Sequence, residues 1–297
     1  ILFIMHKAGF VNIVGNPNVG KSTLMNQLVG EKLSIATFKA QTTRHRIMGI
    51  VNTDDAQIVF SDTPGVLKPN YKMQEMMLQF SESALADADI LLYVTDVVEN
   101  PEKNMDFLDK VSKMTIPVIL LINKIDESDQ KKLGNLVETW HKLLPNAEIL
   151  PLSAKNKFGI DILMKRILEL LPESPAFFDK DQLTDKPAKF FVSEIIREKI
   201  LRYYDKEIPY SVEVVIERFK EDERQIHINA IIYVERSSQK GIIIGHQGMA
   251  LKKVSTEARK SLERFFDKKI FLETYVKVDK DWRNSQKELN NFGYNPE

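Results

Sequence analysis

Gly15-Asn16-Pro17-Asn18-Val19-Gly20-Lys21-Ser22 sets two glycines, a lysine and a hydroxyl at the spacing that holds a polyphosphate. Gly15 and Gly20 let the backbone fold round the phosphates with its N–H groups inward, and a helix opening around Thr23 adds its favourable dipole. Lys21 then reaches the β- and γ-phosphates, and Ser22 ligates Mg²⁺. Asp62-Thr63-Pro64-Gly65 offers an Asp able to hold the same metal through water and a glycine N–H for a γ-phosphate. By itself that tetrapeptide reads more readily as an ordinary turn. Asn123-Lys124-Ile125-Asp126 supplies a carboxylate suited to N1 and the exocyclic N2 of guanine, a pair adenine does not present, with Asn123 supporting the base and neighbouring loops. Ser153-Ala154-Lys155 offers a backbone N–H to the guanine carbonyl, a weak signal on its own.

These groups work together only if they meet, and the intervening pattern supplies the means. Apolar, Ile- and Val-rich runs at 10–14, 57–61, 90–95, 117–122 and 148–152 alternate with helical patterns such as 23–29. Such alternation predicts an α/β domain with a mostly parallel sheet and helices on both faces. Ligands of such sheets bind at the carboxyl ends of the strands, and each polar motif follows the end of one.

The chain has 297 residues, enough for two domains with separate cores. Cysteine is absent, which removes disulfides and thiolate metal sites and agrees with a reducing, cytosolic compartment. No apolar run approaches the length of a membrane span. Residues 1–4, ahead of Met5, are too short for a signal-peptide core, lack a basic leader and read as an upstream extension. Net charge is zero overall, while residues 189–297 carry 21 basic against 18 acidic side chains. That excess is a weak sign of nucleic acid, and local clustering matters more.

Residues 172–187 are proline-punctuated, acidic and weakly periodic, as an interdomain connection is. Beyond them the pattern changes class. Apolar residues at helical spacing (Phe190, Ile195, Ile196, Ile200, Leu201) precede two alternating runs, 212–219 and 226–234, joined by a charged turn at 220–224. Gly241-Ile242-Ile243-Ile244-Gly245-His246-Gln247-Gly248 follows, then a helical stretch over 250–266 and a last strand over 271–278.

With its motifs in this order, the first half resembles the translation-factor-related class of small GTPases. The resemblance implies GTP and GDP as ligands and Mg²⁺ as cofactor. Gly15, Asn18, Gly20, Lys21, Ser22, Thr23, Asp62, Gly65, Asn123, Lys124, Asp126, Ser153, Ala154 and Lys155 would hold nucleotide. It also implies a switch I threonine on Mg²⁺ and γ-phosphate. Thr43 in Ala40-Gln41-Thr42-Thr43-Arg44 is the match, with Thr42 as the neighbouring alternative. Lys21, Thr43 and Gly65 are the expected catalytic set. Val66 stands where Ras-like enzymes place a water-orienting Gln, so slow intrinsic hydrolysis is expected. Asn18 occupies the position of the cation-ligating asparagine of potassium-stimulated relatives, which adds K⁺ to the expectation; the competing role for Asn18 is to stabilise its loop.

The second half looks like an α+β type II KH domain, in which a Gly-x-x-Gly loop clamps single-stranded RNA beside an apolar groove that accepts bases. The resemblance assigns RNA contacts to Ile243, Ile244, Gly245, His246, Gln247, Gly248, Lys252 and Lys253. Arg259, Lys260, Arg264, Lys268 and Lys269 add charge, about half of all these bases being ordinary solvated helix face.

The two halves together, with the tail Asp281-Trp282-Arg283 to Asn291-Phe292-Gly293-Tyr294, resemble the Era family of bacterial ribosome-assembly GTPases from about residue 7 onward. That likeness implies a G domain over 7–172, a linker over 173–188 and a type II KH domain with C-terminal tail over 189–297. It further implies binding to the 3′ end of 16S rRNA, help in 30S subunit assembly, and a cytoplasmic location with peripheral association at the inner face of the cell membrane. No stable oligomer is implied. Two positions depart from the family pattern: Ala40 replaces a usual proline, and His246 and Gln247 fill turn positions where a basic residue is common, which weakens phosphate contact there. A competing reading keeps the GTPase and gives the KH-like domain protein or membrane partners. An ATP-using P-loop kinase or transferase is disfavoured by Asn123 and Asp126.

Overall fold

The computed structural model describes residues 6–295; the 1–4 stretch lies outside them. Residues up to Asp185 form one compact unit and those from Lys186 another, except that Tyr71–Met73 group with the second.

The first unit runs β1 (Lys7–Gly15), α1 (Lys21–Val29), β2 (Ile47–Asn52), β3 (Ala56–Asp62), α2 (Lys72–Ala86), β4 (Ile90–Asp96), α3 (Met105–Ser112), β5 (Val118–Asn123), α4 (Gln130–Leu143), β6 (Glu148–Pro151) and α5 (Ile160–Leu170). Its six strands lie in the order β2-β3-β1-β4-β5-β6. All pairs are parallel except β2 with β3. Every residue of β3 and β4 is buried, which is why their stretches 58–60 and 90–94 read as unbroken apolar runs rather than alternating ones. The short edge strand β2, interrupted by Gly49, is the one strand the sequence pattern does not single out.

The proline-punctuated stretch after α5 is bonded along this edge. The Ile50 amide donates to the Leu183 carbonyl at 2.8 Å, the Thr184 hydroxyl to the Met48 carbonyl at 2.6 Å, and the Met48 amide to Asp185 Oδ1 at 2.9 Å. Buried Gln57 accepts from the Phe177 and Phe178 amides at 2.7 and 2.9 Å.

The second unit runs α6 (Ala188–Tyr203), α7 (Ile208–Ser211), β7 (Glu213–Glu221), β8 (Gln225–Val234), α8 (Ser237–Ile244), α9 (Met249–Phe266), β9 (Lys269–Val278) and α10 (Gln286–Asn291). Its sheet has the order β7-β8-β9, with β7/β8 antiparallel and β8/β9 parallel. Ile226, Ile228, Ala230, Ile232 and Val234 alternate inward from β8 and share a core with Val254, Ala258 and Leu262, a stripe at every fourth residue of α9, and with Val192, Ile196 and Ile200 on α6. Helix α6 departs from a simple amphipathic pattern, since it also buries Glu194, Arg197, Glu198 and Lys199. Arg197 is held by a two-pronged pair to Glu194, both contacts 2.7 Å. Among the described residues, no helix is long and apolar enough to cross a membrane.

The C-terminal tail is part of this core. Trp282 and Tyr294 are fully buried; the Trp282 indole donates to the Ser211 carbonyl at 3.2 Å, and the Tyr294 hydroxyl to Glu213 at 2.7 Å. Trp282→Ala is therefore expected to destabilise this unit by about 3–5 kcal/mol, measured by urea unfolding; a loss below about 1 kcal/mol would show that the tail contributes little.

Candidate functional site

The loop 15–22 leaves β1 and enters α1 at the carboxyl end of the sheet. Gly15 has φ 144°, and a Cβ there would lie 2.1 Å from the Val94 carbonyl oxygen on the adjacent strand β4. Gly20 has φ 98°, and a Cβ there would lie 2.3 Å from Asn123 Nδ2. Only glycine fits at either place. Lys21 is buried at the N-terminus of α1, where its ammonium donates to the carbonyls of Gly15 and Asn16 at 2.9 and 2.8 Å. Burial lowers its pKa to about 8, against the opposing pull of Asp62 and Glu99.

Ser22, Thr43 and Asp62 converge from three separate segments. Asp62 Oδ2 accepts from the Ser22 hydroxyl at 2.8 Å and from the Thr43 hydroxyl at 3.3 Å, and the two hydroxyls are 2.8 Å apart. Thr42 is directed elsewhere, to the Lys39 carbonyl and the Thr37 hydroxyl, so Thr43 is the threonine brought to this cluster. Past Thr43 the chain is anchored by fully buried Arg44 and by the fork of Arg46 on Asp87 at 2.8 and 2.9 Å.

The second oxygen of Asp62 is buried without a hydrogen-bond partner. Desolvation raises the pKa of this carboxyl, partly offset by Lys21 and the two hydroxyls. A buried carboxylate with an unshared oxygen beside two hydroxyls is an all-oxygen donor set of the kind a hard divalent cation takes.

Asn123, buried at the end of β5, joins two loops: its Nδ2 donates to the Val19 carbonyl at 2.8 Å and its Oδ1 accepts from the Ala154 amide at 3.0 Å. Asp126 is exposed, and the Ser153 hydroxyl at 2.6 Å holds its carboxylate below the usual range. Lys124 Nζ is fixed by the Asn18 carbonyl at 2.7 Å and by Asp96 at 2.5 Å. The Ser153 and Ala154 amides are engaged, the former with the Phe158 carbonyl and the latter with Asn123 Oδ1. An open cleft runs past Asn18, Lys21, Ser22, Thr23, Thr43, Gly65 and Lys124. The contribution of Asp96 is invisible in sequence, because an Asp at a strand end has many uses.

Gly65 lies against the phosphate loop, where a Cβ would meet the Pro17 backbone at 2.7 Å. Val66 is 3 % exposed and belongs to the apolar core, so its side chain is turned away from the cleft.

In the second unit, α8 ends at Gly245 (φ 71°) and α9 begins after Gly248 (φ 75°), with Gln247 between them at φ 50°. The Tyr204 hydroxyl, its pKa pushed up to about 12 by burial, donates to the Ile243 carbonyl at 2.7 Å and fixes the entry to this turn. Here the sequence assignment is corrected at one residue. Ile243 is fully buried in the core, so its side chain holds α8 in place, whereas Ile242 is exposed and Ile244 half-buried. Gly248, Lys252, Ser255, Arg259, Leu272 and Thr274 line a groove between α9 and β9. Lys253 lies over the Tyr203 ring at 4.6 Å, leaving Lys252 as the lysine of the groove. Arg259, Lys260 and Lys268 each pair with a glutamate, Glu263, Glu257 and Glu221 respectively. His246 and Gln247 are exposed at the turn.

These loops and this second module define a P-loop GTPase joined to a KH domain. A family model described as 50S ribosome-binding GTPase matches residues 10–124, and one described as KH domain matches residues 207–283. GTPase Era of Clostridium kluyveri is 44% identical over 292 residues, covering 98% of this chain and 100% of that protein. GTPase Era of Leuconostoc citreum is 45% identical over 295 residues, covering 98% and 97%. A crystal structure of Era with MgGDPNP and nucleotides 1506–1542 of 16S ribosomal RNA matches with a TM-score of 0.93 at 38% identity, over 97% of this chain and 99% of that one. A point variant of Aquifex aeolicus Era bound to GDP and AlF4⁻ gives the same values. The chain belongs to the Era family of GTPases.

The depressed pKa of Lys21 has a measurable consequence. An ammonium that must be charged to meet phosphate takes up a proton on nucleotide binding once the pH exceeds about 8. Calorimetry of GDP binding at pH 8.5, in buffers of different ionisation enthalpy, should report net proton uptake that vanishes near pH 6.5. Equal uptake at both pH values would refute the assignment to Lys21.

Proposed function

We propose that this GTPase is a switch that binds the 3′ end of 16S rRNA through its KH domain and assists assembly of the 30S subunit. The observation that carries the reading is the joint presence, in one chain, of the convergent phosphate and guanine loops and of a Gly-x-x-Gly turn opening onto a groove. It is supported by a 38%-identical relative of matching fold that holds both MgGDPNP and a 16S rRNA fragment.

In this reading the loop amides and Lys21 hold the phosphates, and Asp126, poised by Ser153, accepts from the guanine edge. Lys124 stays beside the base because Asp96 fixes its ammonium. Ser22 and Thr43 with Asp62 are the residues that would hold Mg²⁺, which when bound neutralises charge on the phosphates. Thr43 and the Gly65 amide report the γ-phosphate, so its loss releases the segments that carry them. With Val66 buried, no side chain there orients the attacking water, and hydrolysis without a partner is slow. The Asn18 side chain is the proposed ligand of a stimulating K⁺.

On the RNA side, the left-handed glycines bring the loop backbone close to the sugar-phosphate chain, Ile242 and Ile244 offer apolar surface beside it, and Lys252 and Arg259 supply charge along the groove. The alternative, protein or membrane partners for the KH domain, makes the opposite forecast for RNA.

Asp126→Asn should lower GTP affinity by roughly 100-fold or more and favour xanthosine nucleotides; unchanged GTP affinity would remove Asp126 from base recognition. For RNA, Gly248→Asp is a clean probe, because space is open around Gly248 and Asp tolerates its left-handed backbone, whereas a side chain at Gly245 would strike Ala250. Fluorescence anisotropy with a single-stranded 16S 3′-end oligonucleotide at fixed salt should show at least about tenfold weaker binding by this variant, with GTP turnover unchanged. Failure of the unaltered protein to bind the oligonucleotide in either nucleotide state would favour the protein or membrane reading.

A further inference from the structure

Asn104 precedes the first residue of α3, the position from which an asparagine ordinarily caps its own helix. Here it does not. Its backbone is left-handed (φ 59°, ψ 46°) and its side chain makes no cap hydrogen bond. The amide nitrogen instead donates in two directions, to Asn16 Oδ1 of the phosphate loop at 2.5 Å and to the Val66 carbonyl at 3.0 Å. A residue held in a sparsely populated conformation, with its capping capacity used elsewhere, has a constraint imposed by what it reaches.

What it reaches is the backbone on which the γ-phosphate contact depends. Val66 donates its own amide to the Gly15 carbonyl at 3.1 Å, so both main-chain polar groups of residue 66 are tied down, one to the phosphate loop and one to Asn104. Its side chain belongs to the same buried apolar cluster as Phe107 and Leu108 of α3. Asn16 is itself 2% exposed. The start of α3 thus holds the phosphate loop and the segment after Asp62 in one fixed relation. No side chain at position 66 is available to the attacking water, so the placing of backbone groups carries more of the task.

We propose that Asn104 is a positioning residue for GTP hydrolysis, fixing the Gly65–Val66 backbone against the phosphate loop so that the Gly65 amide meets the γ-phosphate. This rests on the reading of Gly65 given above. Asn104 touches neither nucleotide nor metal in this scheme; it acts through Val66 and Asn16.

The test is Asn104→Gly, which keeps the left-handed backbone without strain and deletes only the amide. Single-turnover GTP hydrolysis should fall by about tenfold, while GDP affinity, read with a fluorescent GDP analogue, stays within about twofold because Lys21, Ser22, Asn123 and Asp126 keep their contacts. Asn16→Ala, which leaves residue 104 intact and removes its anchor, should lower the rate in the same direction. Unchanged hydrolysis in either variant overturns the proposal, and so does a parallel loss of rate and GDP affinity, which would mean a generally loosened loop. Gly65→Ala separates the two levels. If that variant hydrolyses GTP normally, the reading of Gly65 fails and the proposal with it. If it is inactive while Asn104→Gly is normal, the role of Asn104 alone is refuted.

Discussion

The nucleotide site depends on one buried side chain, Asn123, whose amide donates to the phosphate loop and whose carbonyl receives the amide of the last loop. Each of those loops must follow a different strand, because the parallel sheet delivers strand ends side by side but does not fix the segments that leave them. Gly20 is required by the same bond, since any Cβ there would occupy the place of the Asn123 amide. The glycine loop after β1 and the loops after β5 and β6 are therefore one rigid object. A buried polar bridge of this kind resists removal strongly, because cutting it leaves desolvated partners on both sides.

The KH unit solves a related problem by different means. Among the described residues, no side-chain hydrogen bond joins its two helices at the turn; instead, left-handed backbone at three of the four turn residues reverses the chain, and the Tyr204 hydroxyl holds the Ile243 carbonyl at the end of the preceding helix. The turn is thus shaped by backbone conformation and leaves its own side chains, His246 and Gln247, outward. A chemistry of close backbone approach requires this economy of side chains.

The fold was legible where local pattern sets it: the strands of the first unit that carry the glycine and Asn-Lys-x-Asp loops, and the order of KH elements, each follow from residue types at short spacing. The Ile242-Ile243-Ile244 triplet shows where that ends: three identical side chains differ only in helix phase, and phase is set by packing on the core. The buried charges of α6 and the reach of Asn104 were not legible for a similar reason. A Glu and an Arg three residues apart have the same local preferences whether or not packing buries the pair, and an Asn whether or not a partner waits 88 residues away; only tertiary structure distinguishes the cases. Thr43 lies between, since sequence left two adjacent candidates and hydrogen bonding separated them.

The segment bonded along β2 bears on how the molecule avoids sticking to itself. An unpaired edge strand is a template for a second chain, and β2, short and rich in isoleucine, would present that edge to solvent. Residues 183–185 occupy its hydrogen-bonding groups. A G domain cut after α5 would keep every residue of the candidate nucleotide site and lose this cover, so its weakness would be self-association through the bared strand rather than loss of chemistry. The stretch that composition marks as a connection is, for the sheet, a guard.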